Sequence, residues 1–369
     1  MNTDSRKLKI LYDYPSVRTE YGGIGRYICE IINELHDRVE IKTSILVTDN
    51  VYMKNLPFLK VRSLITKRYF KGKIKTQEFL NTLYSNYKIR RNNFDIFHRT
   101  YPDAFSIREV SKPTIITIHD MVNEKLPEYH VTFAKNIESK KNLIYNSSHI
   151  IAVSEATKRD ILEIYPINPE KITVIHHGHP PVMKAKQVNK FGEYILYVGR
   201  RKRYKNFHVF VEAIAPLLQQ NQSLQLICAG SEFTDEEIEF FKRLNVLKQV
   251  RVISASDDVL HALYQNALVF VFPSEFEGFG LPILEAFANG CPVCLSNASC
   301  FPEIAGDSAL YFDPHDGNSI RASVEKIIYD KKLASDLREK GLKRLSKFSW
   351  EKAAMETLGV YEKVYAKVS

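Results

Sequence analysis

Short apolar runs alternate with longer amphipathic stretches along almost all of this chain, and that alternation restricts its fold more than any other feature. Strand then helix, repeated many times, buries both apolar faces as a parallel sheet with helices packed against it. In the first half, strands are expected at Lys9–Tyr12, Val39–Val47, Asp95–Phe97, Thr114–Ile118, Ile150–Ser154 and Ile172–His176. Helices fall between them at Ile24–Leu35, near Gln77–Lys88, and at Phe133–Ser147 and Glu155–Tyr165. The pattern breaks at His179-Pro180-Pro181, and the polar, aperiodic stretch Val182–Gly192 reads as an interdomain linker. The alternation then restarts, with strands at Tyr194–Val198, Leu224–Ala229, Val250–Ile253, Leu268–Phe272 and Pro292–Leu295. Helices follow near Phe207–Gln219, Asp235–Leu244, Asp258–Gln265 and Leu281–Ala288, and the tail from Ser319 to Val368 is helical in pattern. The expected fold class is α/β: two doubly wound domains facing a cleft, spanning 1–181 and 182–350. Ligands of such sheets sit at the carboxyl ends of the strands.

A length of 369 residues suits two domains, and a hydrophobic share of 44% excludes a disordered or fibrous chain. No stretch approaches the roughly 18 uninterrupted apolar residues of a membrane span. The opening MNTDSRKLKILYDY lacks the apolar core of a secretion signal. The expected location is cytoplasmic, at most peripheral at the inner face of the membrane. The formal charge of +9 is local. Lys54, Lys60, Arg62, Lys67, Arg68, Lys71, Lys73, Lys75, Lys88, Arg90 and Arg91 face a single acid, Glu78, within one window. Phe58, Tyr69, Phe70, Phe79, Tyr84 and Tyr87 interleave with them. Basic and aromatic residues together suit an anionic membrane surface or a lipid-pyrophosphate, and a solvated basic face is the plain alternative.

The strongest chemical signal is Pro273-Ser-Glu-Phe-Glu-Gly-Phe-Gly-Leu-Pro-Ile-Leu-Glu285, between an apolar strand and a helix. Gly278 and Gly280 permit close backbone approach, and Pro282 suits a first helical turn. A helix N-terminus beside a glycine turn attracts anions, typically phosphate. Glu277 and Glu285 beside a phosphate would repel it unless they bind neutral donors such as sugar hydroxyls. The combination points to a nucleotide-sugar.

The Glu277-x7-Glu285 element resembles the signature of glycosyltransferase family 4, retaining enzymes of the GT-B fold, and the resemblance extends along the chain. Tyr21-Gly-Gly-Ile-Gly-Arg-Tyr27 resembles the family's first glycine-rich loop, and Ile118-His119-Asp120 its central histidine element. Val153–Lys158 and Val174–Gly178 resemble later segments of the first domain, and Gly199–Phe207 the donor-phosphate loop. The resemblance implies that the last helix, Glu351–Ala366, crosses back to the first domain, so that 351–369 packs on it.

For the site it implies Arg201 and Lys205 against the diphosphate, and Glu277 on the donor sugar with Gly278, Phe279, Gly280 and Leu281 around it. Glu285 would bind the ribose, and Val252 and Ile253 the base. Gly22, Gly23 and Gly25 would let the first domain's backbone press on the phosphate and acceptor side, and His119 would sit near the reacting centre. The sequence holds no Asp-x-Asp, so fixed cations rather than a metal are expected to stabilise the departing diphosphate, and no cofactor is implied. Arg200, Lys202 and Arg203 compete with Arg201. The loop reads Tyr204-Lys205 where many relatives have Arg-Lys, which puts more weight on Arg201.

The expected activity is metal-independent, retaining transfer of a hexose, mannose first, from GDP-mannose or a UDP-hexose to a lipid-linked surface glycan. Two rivals stand beside it. One is an inactive sugar-nucleotide-binding scaffold; the other is a nucleic-acid-binding protein using the basic window, which lacks any recognised binding module, so no nucleic acid is expected. Gly22, Gly23 and Gly25 would need a further glycine at Ile28 to make a dinucleotide fingerprint. His176, His177 and His179 read as a domain-end turn rather than a metal tract, and Cys291, Cys294 and Cys300 as structural.

Overall fold

The computed structural model describes residues 6–63, 72–102, 110–129, 134–182, 191–201 and 203–368. It divides into two compact units, Met1–Gly178 with Trp350–Ser369, and His179–Ser349.

The first unit is built on β1 (Lys9–Tyr12), β2 (Glu40–Thr43), β3 (Ile96–Arg99), β4 (Thr114–Ile118), β5 (His149–Ala152) and β6 (Ile172–Val174). All pair in parallel, in the order β2-β1-β3-β4-β5-β6. The central strands β3 and β5 are wholly buried, as strands covered on both faces must be. The edge strand β2 is half-exposed along its length and stops at Thr43, short of the expected Val47. Ile45 and Val47 are buried in the loop beyond it, where they read as strand without forming one.

The second unit holds β7 (Tyr194–Val198), β8 (Gln225–Ala229), β9 (Val250–Ile253), β10 (Val269–Phe272), β11 (Val293–Ser296) and β12 (Leu310–Phe312), in the parallel order β12-β11-β10-β7-β8-β9. The three-residue β12 is an addition to the expected strands; so short a run shows no periodicity. The order reverses between β7 and β10, which places a ligand crevice at the carboxyl ends of those two strands. Phe207, Phe210, Ile214, Leu226, Phe241 and Val271 form the core on one face of this sheet.

The helical tail is three helices, Gly317–Tyr329, Lys331–Arg344 and Trp350–Tyr365. Asp316 and Asp330 cap the first two, each side chain accepting from a backbone N–H of the first turn. The third belongs to the first unit. Its Tyr361 hydroxyl lies 3.0 Å from that of Tyr12 and 2.6 Å from His98 Nδ1, so a buried polar network ties it to β1 and β3. His98 Nε2 continues the network to Thr117 Oγ1 at 2.8 Å.

Candidate active site

In the second unit, the loops after β7 and β10 converge as the strand order requires. The first carries Arg201 and Lys205, the second Glu277. Glu275 N–H donates to the Tyr204 carbonyl at 2.9 Å, fastening one loop to the other. Lys205 Nζ forms a close ion pair with Glu277 and lies 5.2 Å and 5.6 Å from the ring centroids of Tyr204 and Phe272. Glu277, expected from sequence on the donor sugar, thus also holds the neighbouring cation in place. Its own carbonyl accepts from Ser299 Oγ at 2.5 Å.

Arg201 lines a cavity of about 470 Å³ together with Gly199, Gly230, Thr234 and Glu237. Expected from sequence against the diphosphate, it is held by a carboxylate in the fold. Its Nε lies 2.5 Å from Glu237 Oε1, and its Nη2 donates to Glu237 Oε2 at 3.0 Å and to the Glu232 carbonyl at 2.8 Å. Nη1 alone has no hydrogen-bond partner among the described residues. Glu237 also closes a capping box with Thr234 at the start of the helix Asp235–Arg243. Burial would raise its carboxyl pKa, but Arg201 and the Thr234 N–H hold it below the ordinary value. Glu237 is absent from the sequence reading; the spacing Thr234-x-x-Glu237 signals its cap, and nothing local signals that it orients Arg201. Arg200 also lines the cavity; Lys202 lies outside the described residues.

Val252 and Ile253 end β9 half-buried, and the Ile253 carbonyl accepts from the N–H of Gly230 at 3.0 Å, which sets them beside the same cavity. Gly280, at φ +93°, caps the helix Leu281–Ala288 with Leu281 as its first residue. That left-handed conformation is one a side chain would strain, and no side-chain cap fills this N-terminus. Gly278 and the buried Phe279 lead into it. Glu285, on that helix, accepts from the hydroxyl of buried Tyr264 at 3.3 Å, a partner absent from the sequence reading.

The first unit sets its own cluster at the carboxyl ends of β1, β3 and β4. His119 follows β4 and donates from Nε2 to the Thr100 carbonyl at 2.9 Å, leaving Nδ1 as an acceptor. Burial pushes its pKa down to about 4, against the Thr100 contact and Asp120, so the ring is neutral near pH 7. Asp13, unmarked in the sequence reading, is buried after β1 and accepts from Thr100 N–H at 2.8 Å and Thr100 Oγ1 at 2.6 Å. A lone aspartate one residue past a strand end was the available signal.

Gly22 and Gly23 open the helix Gly23–Leu35. Gly25 is also closely packed: a Cβ there would lie 2.7 Å from Asn50 Nδ2 and 3.1 Å from the Ser16 carbonyl. Internal packing accounts for that glycine. His177 stacks between Tyr27, at 4.6 Å, and Trp350, at 5.8 Å, as part of the packing under the last helix. Cys291, Cys294 and Cys300 are free and buried.

The basic window also looks different in three dimensions. Lys54 and Lys73 pair with Asp49 at 3.2 and 2.7 Å, and Lys67, Arg68, Tyr69, Phe70 and Lys71 lie outside the described residues. The helix Lys73–Arg91 is turned inside out. It buries Gln77, Asn81 and Ser85, with Ile89 the one apolar residue of that stripe, and exposes Ile74, Phe79, Leu83 and Tyr87 at 48%, 63%, 53% and 52%. Asn81 explains the inward polar face, since its Oδ1 accepts from the N–H groups of Leu46 and Val47 and its Nδ2 donates to the Val47 carbonyl.

The buried neutral histidines predict a pH dependence. The pKa of His98 is held down to about 3 and that of His119 to about 4, both chiefly by burial, against an ordinary 6.5. Below pH 6.5 the unfolded chain therefore binds more protons than the native one, and stability present above 6.5 is lost as the pH falls toward 4. A tenfold difference in proton affinity between the two states corresponds to about 1.4 kcal/mol. Melting temperature should fall between pH 6.5 and 5, above the carboxylate range, with a smaller slope in His98→Gln. A flat profile there would contradict the burial argument.

Two parallel α/β units, one with cation and carboxylate loops meeting at a strand-order reversal, define a glycosyltransferase of the GT-B fold. Two family sequence models match it in succession, "Glycosyltransferase Family 4" over residues 21–181 and "Glycosyl transferases group 1" over 181–344. The chain belongs to glycosyltransferase family 4. It is 25% identical to the O-antigen chain mannosyltransferase B of Escherichia coli over 96% of this chain and 100% of the relative. Among solved structures, it is similar to sucrose-phosphate synthase from Thermosynechococcus elongatus, with TM-score 0.76 and 20% identity over 98% and 100% of the two chains. HepE from Anabaena, in complex with UDP-glucose, is similar at TM-score 0.74 and 17% identity over 96% and 100%. Among the described residues, no helix is long and apolar enough to cross a membrane.

Proposed function

We propose that this glycosyltransferase moves mannose from GDP-mannose to a lipid-linked glycan with retention and without a metal. The carrying observation is that Arg201, clamped by Glu237 at the cavity wall, and Lys205, fixed by Glu277, lie together at the β7/β10 reversal. Fixed cations already oriented need no reorganisation as the diphosphate departs. Glu277 and Glu285 accept from donor-sugar and ribose hydroxyls, and His119 accepts through Nδ1. The bond from the sugar's anomeric carbon to phosphate breaks and a bond to the acceptor oxygen forms on the same face. The acceptor's proton passes to the departing phosphate oxygen. In this reading the first unit holds the acceptor and the second the nucleotide.

Mannose takes first place from the mannosyltransferase relative; a UDP-hexose is second. A thermal-shift panel of GDP, UDP, ADP and their sugars decides. A ligand at 100 times its Kd stabilises by about 2.7 kcal/mol, so GDP and GDP-mannose should stand apart from the rest. Transfer should survive EDTA. A shift with UDP alone reassigns the donor, and no shift with any nucleotide ends the reading.

The inverted helix Lys73–Arg91 supports docking on an anionic membrane, where a lipid-linked acceptor resides. Its exposed apolar residues lie among Lys75, Lys88, Arg90 and Arg91, a pairing of apolar area and positive charge that suits such a surface. The protein should co-sediment with phosphatidylglycerol vesicles and not with phosphatidylcholine, and Phe79→Glu/Leu83→Glu should abolish this. Equal binding to both lipids, or to neither, refutes docking.

A further inference from the structure

The turn carrying His119 is braced by a buried ion pair to which the proposed chemistry gives no role. After β4 the chain passes through Asp120 and Met121 into the short helix Val122–Lys125. Lys140, on the helix Ala134–Asn146, reaches this turn from the side. Its Nζ donates to the Asp120 carbonyl at 3.1 Å and to Glu124 Oε2 at 2.9 Å. The two side chains are only 5% and 4% exposed. Burying such a pair is a poor route to stability, since well-packed apolar residues usually do as well. Here the pair is also incompletely satisfied, because Glu124 Oε1 has no hydrogen-bond partner among the described residues. A role other than stability fits better.

We propose that Lys140 and Glu124 are positioning residues for His119: Lys140 grips the carbonyl of the next residue along the chain, and Glu124 provides the counter-charge that lets a lysine stay buried there. This rests on the reading that His119 faces the transferred sugar. The grip fixes the backbone from which the imidazole projects, while the Thr100 carbonyl fixes the ring. Lys140 also acts on the ring through its charge. The groups facing His119 are Asp120, Lys140, Tyr27, Tyr101, His177 and His98. After burial, Lys140 is what disfavours protonation, and Asp120 works against it. Without Lys140 the ring takes up a proton at higher pH.

The test uses the full chain with isotope-labelled histidine, the His119 signal being assigned by its loss in His119→Gln. Lys140→Met alone leaves Glu124 buried and unpaired and is expected to fold poorly. Lys140→Met/Glu124→Leu removes both charges and keeps a folded reference. In that double variant the His119 titration midpoint should rise above the wild-type value. With GDP-mannose as donor, kcat should fall about 100-fold, the cost of misplacing a reacting group by about 1 Å, with KM little changed. A folded double variant with the wild-type midpoint and kcat shows that the pair is only structural and overturns the proposal. If His119→Gln retains full kcat, the role of His119 in transfer fails separately, and the midpoint still decides whether the pair governs the ring.

Discussion

Lys205→Ala should lower kcat/KM for sugar transfer by about 100- to 1,000-fold, the effect of losing one preorganised charge-stabilising donor, while the protein stays folded. The ammonium is fixed by Glu277 and by the rings of Tyr204 and Phe272, so its replacement by solvent does not restore the same field. Stability should change little, because both members of the pair retain some exposure, 17% and 15%, and Glu277 can hydrate once freed. Glu285→Ala should act differently. A hydrogen bond to a carboxylate is worth about 1.5–3 kcal/mol, which here would appear mainly in KM for the donor. Steady-state kinetics with circular dichroism on each variant separates the two. Full activity in a folded Lys205→Ala/Glu285→Ala double variant would rule out the assigned site.

Arg201→Ala should damage both activity and fold. Arg201 and Glu237 are almost fully buried, at 4% and 9% exposure, and joined by two contacts, so removing the guanidinium strands a carboxylate beside the sheet. Breaking a buried pair in this way costs about 3–5 kcal/mol. At about 2–4 °C per kcal/mol for a domain of this size, the second unit should melt about 6–20 °C lower. Arg201→Ala/Glu237→Gln relieves the stranded charge and keeps a group able to accept at the Thr234 cap, so stability should return in large part. Activity should not, because the cation is still missing. Recovery of both by the double variant would make Arg201 a structural residue and leave Lys205 as the assigned phosphate cation.

Most elements were legible because a buried face leaves a periodic trace in the chain. β1, β4, β7, β9 and the helix Leu281–Ala288 match their expected bounds. The edge strands β2 and β12 did not read cleanly, since half-exposed or three-residue strands carry little alternation. The helix Lys73–Arg91 was underread at both ends because several of its apolar residues point outward and its buried stripe, Gln77, Asn81, Ser85 and Ile89, is mostly polar.

Where the chemistry-bearing residues stand is written locally in the chain. Glycine turns, helix starts and strand ends each leave their mark within a few positions. What those residues meet depends on the fold. Strand order places β10 beside β7, so Lys205 pairs with Glu277 across 72 positions, and Arg201 finds Glu237 across 36. Tyr361 reaches His98 across 263 positions because the last helix returns to the first unit. Periodicity records that a face is buried and not against what, so only the fold decides that a loop cation is held by a carboxylate of a helix cap.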